Sequence, residues 1–352
     1  MCFEIENNVI TNYKHKKGVT EITIPENIID IKANTLYNCS SLTKINVHDN
    51  NKVYCDIDGI LFSKDKKTLI LYPDGKVGDY IIPNGVTTIG EQAFEWCSKI
   101  TSITIPESVT NIQERALYNC SSLSKINVHD KNKVYCDIDG VLFSKDKKTL
   151  ILYPNNKSGN YTVPDNVTTI ASKSFKWCLR LTSITISESV NNIENHAFEW
   201  CSNLKQINVH HNNQTYCDID GILFSKDKKT LILCPQCKSG IYTIPNSVTT
   251  IDNEAFKWCV RIPNIQLPQN LIYINDCAFQ YCYNLDNITI PDNVVKIGKN
   301  AFYNCSSLTS IIVPDSVTYL GDNAFYGCRS LRNASLPNRF KIFPEHTEIT
   351  FR

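Results

Sequence analysis

The sequence predicts an α/β repeat: a solenoid of nine coils of about 23 residues with a parallel sheet and three inserted β-hairpins. Three observations carry this. First, Cys259, Cys282, Cys305 and Cys328 are each 23 residues apart. Upstream, through Cys39, Cys97, Cys120, Cys178, Cys201 and Cys259, the spacing alternates between 58 and 23, and 58 is 23 plus 35. The same unit therefore continues there, interrupted three times by a 35-residue insert. Second, a proline follows almost every short apolar strand. Third, the three inserts are near copies of one another. A fixed period of this length marks repeats that bury their apolar faces against their neighbours.

Each unit reads in the same order. In one copy, Leu308, Ile311 and Val313 are apolar while Ser310 and Ile312 face the other way, which predicts a short strand with one buried face. Proline then stops the ladder, at Pro25, Pro83, Pro106, Pro164, Pro245, Pro268, Pro291 and Pro314, with Ser187 in its place once. Ala301, Phe302, Cys305 and Leu308 fall at i, i+1, i+4 and i+7, which predicts one face of a short helix. A coil is thus expected to run strand, turn, short helix and return.

The inserts lie at about 48–80, 129–161 and 210–242. In the first, Ile60 to Phe62 and Thr68 to Tyr72 are β-rich runs flanking a polar Ser-Lys-Asp-Lys-Lys turn, a hairpin signal. Residues 1–20 and 337–352 depart from the period and are expected to cap a solenoid spanning 21–336. The phrase Ile-Pro-x-x-Val-x-x-Ile-x-x-x-Ala-Phe-x-x-Cys-x-x-Leu-x-x-Ile resembles the BspA-like (Treponema-type) leucine-rich repeat over about residues 19 to 336. The Asp-Gly-Ile-Leu-Phe-Ser-Lys-Asp hairpin is similar to that family's insert. The resemblance implies a surface-exposed adhesin or interaction protein, of a kind found in bacteria and some protist parasites, with no catalytic motif.

Composition narrows the function classes. Lys plus Arg number 36 against 35 Asp plus Glu, so charge gives no reason to expect nucleic acid or an anionic membrane as partner. No stretch reaches the ~18 to 20 apolar residues of a membrane span. The opening Met1-Cys-Phe-Glu-Ile-Glu-Asn carries acids where a secretory signal has basic residues. Sequence alone therefore expects a cytoplasmic chain, whereas the resemblance implies the cell surface. Of the 16 cysteines, nine form the periodic series. Parallel Cβ vectors ~5 Å apart exceed the ~3.8 Å that a disulfide prefers, so these nine are expected to be a ladder of buried thiols.

Three motifs invite a chemical reading. Asp56, Asp137 and Asp218 each open Asp-Ile-Asp-Gly, superficially the nucleophile loop of haloacid dehalogenase-type phosphatases. Lys-Val-Tyr-Cys precedes Asp137 in place of an apolar strand and no Thr follows, so an Asp-Gly turn is the expectation and the chain is read as no enzyme. His48 with Cys55, His129 with Cys136, and His210 or His211 with Cys217 supply two ligands per copy, short of the four of a structural zinc site. Cys234 and Cys237 form the only Cys-x-x-Cys, at a place where the other inserts carry Tyr72 and Tyr153, and no second pair completes a site. No cofactor or metal is expected. Asn166, Asn213 and Asn287 open Asn-x-Ser/Thr sequons, which an Asn-rich composition generates by chance, and glycosylation is not expected.

Two surface features remain as candidate binding sites. Outward strand positions form a neutral hydrogen-bonding stripe: Lys44, Asn46, Ser102, Thr104, Lys125, Asn127, Ser183, Thr185, Gln206, Asn208, Asn264 and Gln266. The extended sheet face is the usual docking surface of repeat proteins. Trp96, Trp177, Trp200, Trp258 and Tyr281 stand just before a core cysteine, where they either pack on a neighbouring coil or insert or form an aromatic stripe suited to a partner, Trp being enriched in interface hot spots. The expected function is a non-enzymatic scaffold for protein–protein interaction or adhesion, with a host or self protein as partner. An intracellular recognition or effector module acting on a cytosolic partner is the alternative.

Overall fold

Every strand here is short, so its side chains can be buried only by stacking coil on coil. The computed structural model describes residues 3–14, 18–32, 35–36, 39–340 and 349–351. It is a β-solenoid of stacked coils with parallel sheets. The chain divides into two compact units that interleave in sequence. One comprises Met1–Lys157, Val167–Cys178 and Asn192–Glu199, the other Ser158–Asn166, Leu179–Asn191 and Trp200–Arg352.

In the first unit the longer strands pair in parallel: Glu21–Ile24 with Lys44–Val47, and Gly78–Ile81 with Ile100–Ile105 and then Lys125–Val128. Their alternation is the predicted one, with Ile103, Ile105 and Ile126 buried and Ser102 and Thr104 between them on the other face. A second ladder of very short strands runs through Thr68–Leu71, Thr88–Ile89 and Asn111–Ile112. An antiparallel pair, Phe3–Glu6 and Val9–Tyr13, begins the unit. In the second unit Gly159–Thr162, Leu181–Ile186 and Gln206–Val209 repeat the first arrangement. There the short-strand ladder reaches seven strands, from Tyr216–Ile219 to Tyr319–Leu320.

The expected short helix does not form, and the α/β description gives way to an almost wholly β one. Among the described residues the single helical element is a 3-10 turn at Asn338–Phe340. The reason lies in where the amides point. Ala93, Glu95 and Cys97 donate to the carbonyls three residues back, at 2.9 to 3.1 Å. The intervening Gln92, Phe94 and Trp96 instead donate to Glu114, Ala116 and Tyr118 of the next coil, at 2.8 to 3.2 Å. An α-helix needs every amide bonded to the carbonyl four residues back, so committing alternate amides to a neighbour leaves a run of turns. The run still buries Ala93, Phe94 and Cys97, the positions a helix would bury.

These turns build the core. Phe256, Phe279, Phe302 and Phe325 stack at centroid separations of 5.0 to 5.4 Å with interplanar angles of 9 to 14°. Offset stacking at this distance is the favoured aromatic geometry.

Each insert is a three-stranded antiparallel meander, one strand more than the expected hairpin: Tyr54–Ile57, Ile60–Ser63 and Thr68–Leu71 in the first. Asp58 and Gly59 turn between the first two strands with φ of 51° and 72°, as do Asp139 with Gly140 and Asp220 with Gly221. Two consecutive positive φ values are the type I′ turn that suits strand twist. The insert then supplies a coil of its own. Tyr72 stacks on Phe94 at 5.0 Å, and Gly78–Ile81 joins the longer-strand ladder. Counting every turn among the described residues gives about 14 rather than nine.

Candidate functional site

The repeated aspartates are structural. Asp56, Asp137 and Asp218 each accept, through Oδ1, the amide of the strand before the insert: Val47, Val128 and Val209 donate at 2.7, 2.7 and 2.8 Å. A strand that would otherwise end with a free N–H is closed by a carboxylate, a strong charge-assisted bond. We expect Asp137→Ala to reduce stability by about 1 kcal/mol in urea titration, the usual value of one hydrogen bond. The His-x6-Cys pairs are likewise occupied. The Nδ1 atoms of His48, His129 and His210 accept backbone amides at 3.2 to 3.3 Å. Cys55, Cys136 and Cys217 donate to Ser63, Ser144 and Ser225 carbonyls at 3.2 Å. Among the described residues no group of three or more His, Cys, Asp or Glu is arranged to hold a metal ion. Cys234 is buried in the tyrosine position, and Arg261 Nη1 donates to Cys237 Sγ at 3.0 Å.

The polar stripe is ordered but divided. Ser102 and Thr104 align with Lys125 and Asn127, and Asn127 donates to Thr104 Oγ1 at 3.4 Å. In the second unit Ser183 and Thr185 align with Gln206 and Asn208. Ser183 is buried, its hydroxyl donating to Asn160 Oδ1 at 2.8 Å. Gln266 accepts from Thr243 at 2.8 Å, Asn264 bridges to Asn287, and Lys44 and Asn46 align with Glu21 and Thr23. The insert turns lie against this stripe. A Cβ on Gly59, Gly140 or Gly221 would come within 2.2, 2.6 or 2.7 Å of Lys44, Lys125 or Gln206. Glycine is required there by this close approach as well as by its positive φ. The sequence reading missed Ile81, 71% exposed in register with Thr104, because the insert was not counted as a coil.

The aromatic position has a different character. The residue before each of these core cysteines is left-handed: φ is 66° at Trp96, 62° at Trp177, 63° at Trp200, 65° at Trp258 and 63° at Tyr281. The same position is Asn119 (58°), Asn304 (58°) and Gly327 (76°) in other coils. Asn and Gly adopt this conformation readily, whereas other residues lose roughly 1–2 kcal/mol. Five coils thus hold a bulky ring where a small residue is conformationally better. Trp96 and Trp177 approach to 6.1 Å in the first unit. In the second, Trp200 meets Trp258 at 4.3 Å, and Trp258 stacks on Tyr281 at 4.1 Å. Tyr303 and Tyr326 continue the row at 5.6 and 5.3 Å. These two stand two residues before a cysteine, so a search of the preceding position alone passes over them.

The family model described as a BspA type leucine rich repeat region (6 copies) matches residues 3–67, 71–156, 153–230 and 233–347. The chain belongs to the BspA-type leucine-rich repeat family. Its fold is similar to that of a leucine-rich repeat protein from Eubacterium ventriosum, 23% identical, over 84% of this chain and 87% of that one, with a TM-score of 0.52. It is also similar to the pneumococcal vaccine antigen PcpA, 20% identical, over 85% and 83%, with a TM-score of 0.55. No curated protein matches the sequence.

In this BspA-type chain the repeat cysteine is chosen for its hydrogen bond as well as its size. Cys120, Cys282, Cys305 and Cys328 donate S–H to the carbonyls of Phe94, Phe256, Phe279 and Phe302, at 3.0 to 3.2 Å. Burial pushes these thiols up, Cys39 and Cys328 to about 12, so they stay protonated and weakly nucleophilic. No disulfide joins the described cysteines. A thiol reagent applied to the folded protein at pH 8 is therefore expected to leave the nine core cysteines unmodified until urea is added. Trp96→Asn tests the left-handed position. Trp96 is 42% exposed, so relief of strain should outweigh lost packing and raise stability by ~0.5–1 kcal/mol.

Proposed function

We propose that this chain is a non-enzymatic scaffold for protein–protein interaction or adhesion, and that the aromatic row is its principal binding surface. The observation that carries the reading is that Trp96, Trp177, Trp200, Trp258 and Tyr281 place large rings where other coils carry Asn119, Asn304 and Gly327. The backbone is left-handed at all of these positions, as it is at Gln92, Arg115 and Glu254, so the turn itself does not call for a ring, and large rings are the side chains that dominate interface energies. The divided polar stripe is a secondary contact surface in this reading, since its Ser, Thr and Asn side chains are engaged along the ladder. Membership of a leucine-rich repeat family supports a protein-binding role. Among the described residues, no helix is long and apolar enough to cross a membrane. We further propose that residues 1–20 and 337–352 cap a solenoid spanning 21–336. Residues 1–2, 15–17, 341–348 and 352 of those caps lie outside the described residues.

The test is affinity capture from host and self lysates with three forms of the full chain: wild type, Trp258→Asn with Tyr281→Asn, and Thr104→Lys with Asn127→Lys. Asn suits the left-handed backbone, so the aromatic variant is expected to fold. A protein captured by the wild type and lost by the aromatic variant supports the reading. Loss with the sheet variant alone moves the site to the polar stripe, and retention by both overturns it.

A further inference from the structure

The third insert departs from its copies at one place. The stretch from Asp218 to Lys238 differs from that between Asp56 and Lys76 only where Tyr72, Asp74 and Gly75 become Cys234, Gln236 and Cys237. The second insert carries Tyr153, Asn155 and Asn156 there. Two cysteines thus enter a single turn, which the Lys238 amide closes on the Pro235 carbonyl at 2.9 Å.

Cys237 is half-buried, and its sulfur accepts a hydrogen bond, from Arg261 Nη1 at 3.0 Å. The other half-buried thiols behave differently. Cys55, Cys136 and Cys217 donate to serine carbonyls. Burial pushes all three up, with the nearby lysines only partly offsetting it. Burial does the same at Cys277. Reactive cysteines are partly exposed in electropositive surroundings. Among the described half-buried thiols, Cys237 is the one with a guanidinium on its sulfur.

Cys234 is its buried counterpart, 1% exposed. Its thiol hydrogen-bonds with that of Cys259 and lies 3.8 Å from the Pro235 carbonyl that closes the turn. It fills its site poorly. Tyr72 and Tyr153 stack on Phe94 and Phe175 at 5.0 and 5.1 Å, whereas Cys234 offers Phe256 no ring. The Tyr242 hydroxyl, buried close to the Cys234 thiol, has no hydrogen-bond partner. The strand that follows, Tyr242–Thr243, has two residues where Gly78–Ile81 and Gly159–Thr162 have four. A small side chain in a place shaped for tyrosine gives up few contacts when it rotates toward the far end of its own turn.

We propose that Cys234 and Cys237 form a reversible dithiol site that reacts with small-molecule disulfides. The Cys237 thiolate attacks one sulfur of a disulfide RSSR, and the electron pair of the broken S–S bond leaves on RS⁻, which takes up the proton that Cys237 released. Cys234 then gives its proton to solvent and attacks Cys237 Sγ, so that a second RS⁻ departs and is protonated. The protein loses two hydrogens and RSSR gains them. Closing the bridge takes Cys234 away from its buried contact with Cys259, which makes this disulfide easier to reduce than a structural one. The inference does not rest on the binding surface proposed above.

The test is incubation of the full chain with oxidised glutathione, followed by acid quenching, alkylation and peptide mass mapping. The expected course is a mixed disulfide at Cys237, then a Cys234–Cys237 bridge that excess reduced glutathione reverses, with Cys55, Cys136 and Cys217 unmodified. Cys234→Tyr restores the residue of the other inserts and is expected to fold, as a melting curve will show, and its reaction should stop at the mixed disulfide. Cys237→Asn, the residue of the second insert, should leave Cys234 unmodified. Arg261→Gln should slow the first step several-fold. Four outcomes overturn the proposal: no modification of Cys237, equally fast modification of Cys55, Cys136 or Cys217, a mixed disulfide as persistent in wild type as in Cys234→Tyr, or a bridge from Cys234 to Cys259.

Discussion

Asn132→Ala is expected to reduce the stability of the folded chain by about 4 kcal/mol, a large share of the total for a protein of ordinary stability. Asn132 is 0% exposed and uses its whole amide. Nδ2 donates to the carbonyls of Pro106 and Val109 at 2.8 and 2.9 Å. Oδ1 accepts the amides of Val134 and Tyr135 at 2.9 and 2.8 Å. One side chain thereby ties the proline turn of one coil to the start of the next insert. Alanine would orphan four backbone groups at once, each costing ~1–3 kcal/mol when buried, less what water entering the vacated space recovers. Asn132→Asp should also destabilise, since an oxygen would replace the donor facing two carbonyls. Lys131→Ala, exposed beside it, should change little. Urea midpoints decide the matter, and a loss below about 1 kcal/mol for Asn132→Ala would sink the account.

Asn51 and Asn213 repeat the arrangement, bonding Pro25 with Ile28 and Ser187 with Val190 at 2.8 to 2.9 Å. At Asn213 the same bonds bear on the sequon. Its sequon is intact, but the nitrogen a glycan would need is buried and donates two hydrogen bonds, so the folded chain offers no acceptor there.

The same contrast runs through the molecule. The period, the proline stops and the buried alternation were legible because each depends on local chemistry repeated many times. The missing helix was not. Ala-Phe-x-x-Cys-x-x-Leu presents the same core face whether its amides bond within the segment or to the next coil. Only the left-handed residues, such as Gln92 and Trp96, distinguish the two. Asn119, Asn304 and Gly327 favour the turn at this position, whereas Trp at the same place in four other coils points away from it. The Asp-Gly turn was readable as a turn. That Asp137 closes the preceding strand was not, because its partner, Val128, lies nine residues back in a strand read as a separate element. Of the candidate surfaces, the polar stripe followed from strand alternation alone, which does not foresee that Ser183 is buried against Asn160. The aromatic row was seen only in part, since Tyr303 and Tyr326 join it by stacking rather than by position in the repeat.

Asp74→Asn is expected to stabilise the protein at pH 7 by about 3 kcal/mol, and the gain should disappear in acid. Asp74 sits in the first insert, 5% exposed. Its Oδ2 accepts the Cys39 amide at 3.0 Å and its Oδ1 faces the Cys97 thiol at 3.8 Å. Burial raises its carboxyl from 3.8 to about 6 because the two hydrogen bonds only partly offset the loss of water. The folded state therefore binds the proton more tightly than the unfolded state. Between pH 3.8 and about 6 the folded chain carries more protons, so this group makes stability fall as pH rises through that window and level off above it. At 1.36 kcal/mol per pH unit, the loss is about 3 kcal/mol. The second insert carries Asn155 at the same place, its Nδ2 donating to the Lys176 carbonyl at 2.7 Å. An asparagine at position 74 can keep the Cys39 bond and direct Nδ2 at the corresponding Glu95 carbonyl. The hairpin-tip acids Asp65, Asp146 and Asp227 move oppositely, held low by the hydroxyls of Ser63, Ser144 and Ser225. Their contribution is lost as pH falls, so the comparison has to be variant against wild type at each pH, where these terms cancel. A difference that is constant from pH 4 to pH 8 would show that Asp74 is not a buried acid of raised pKa.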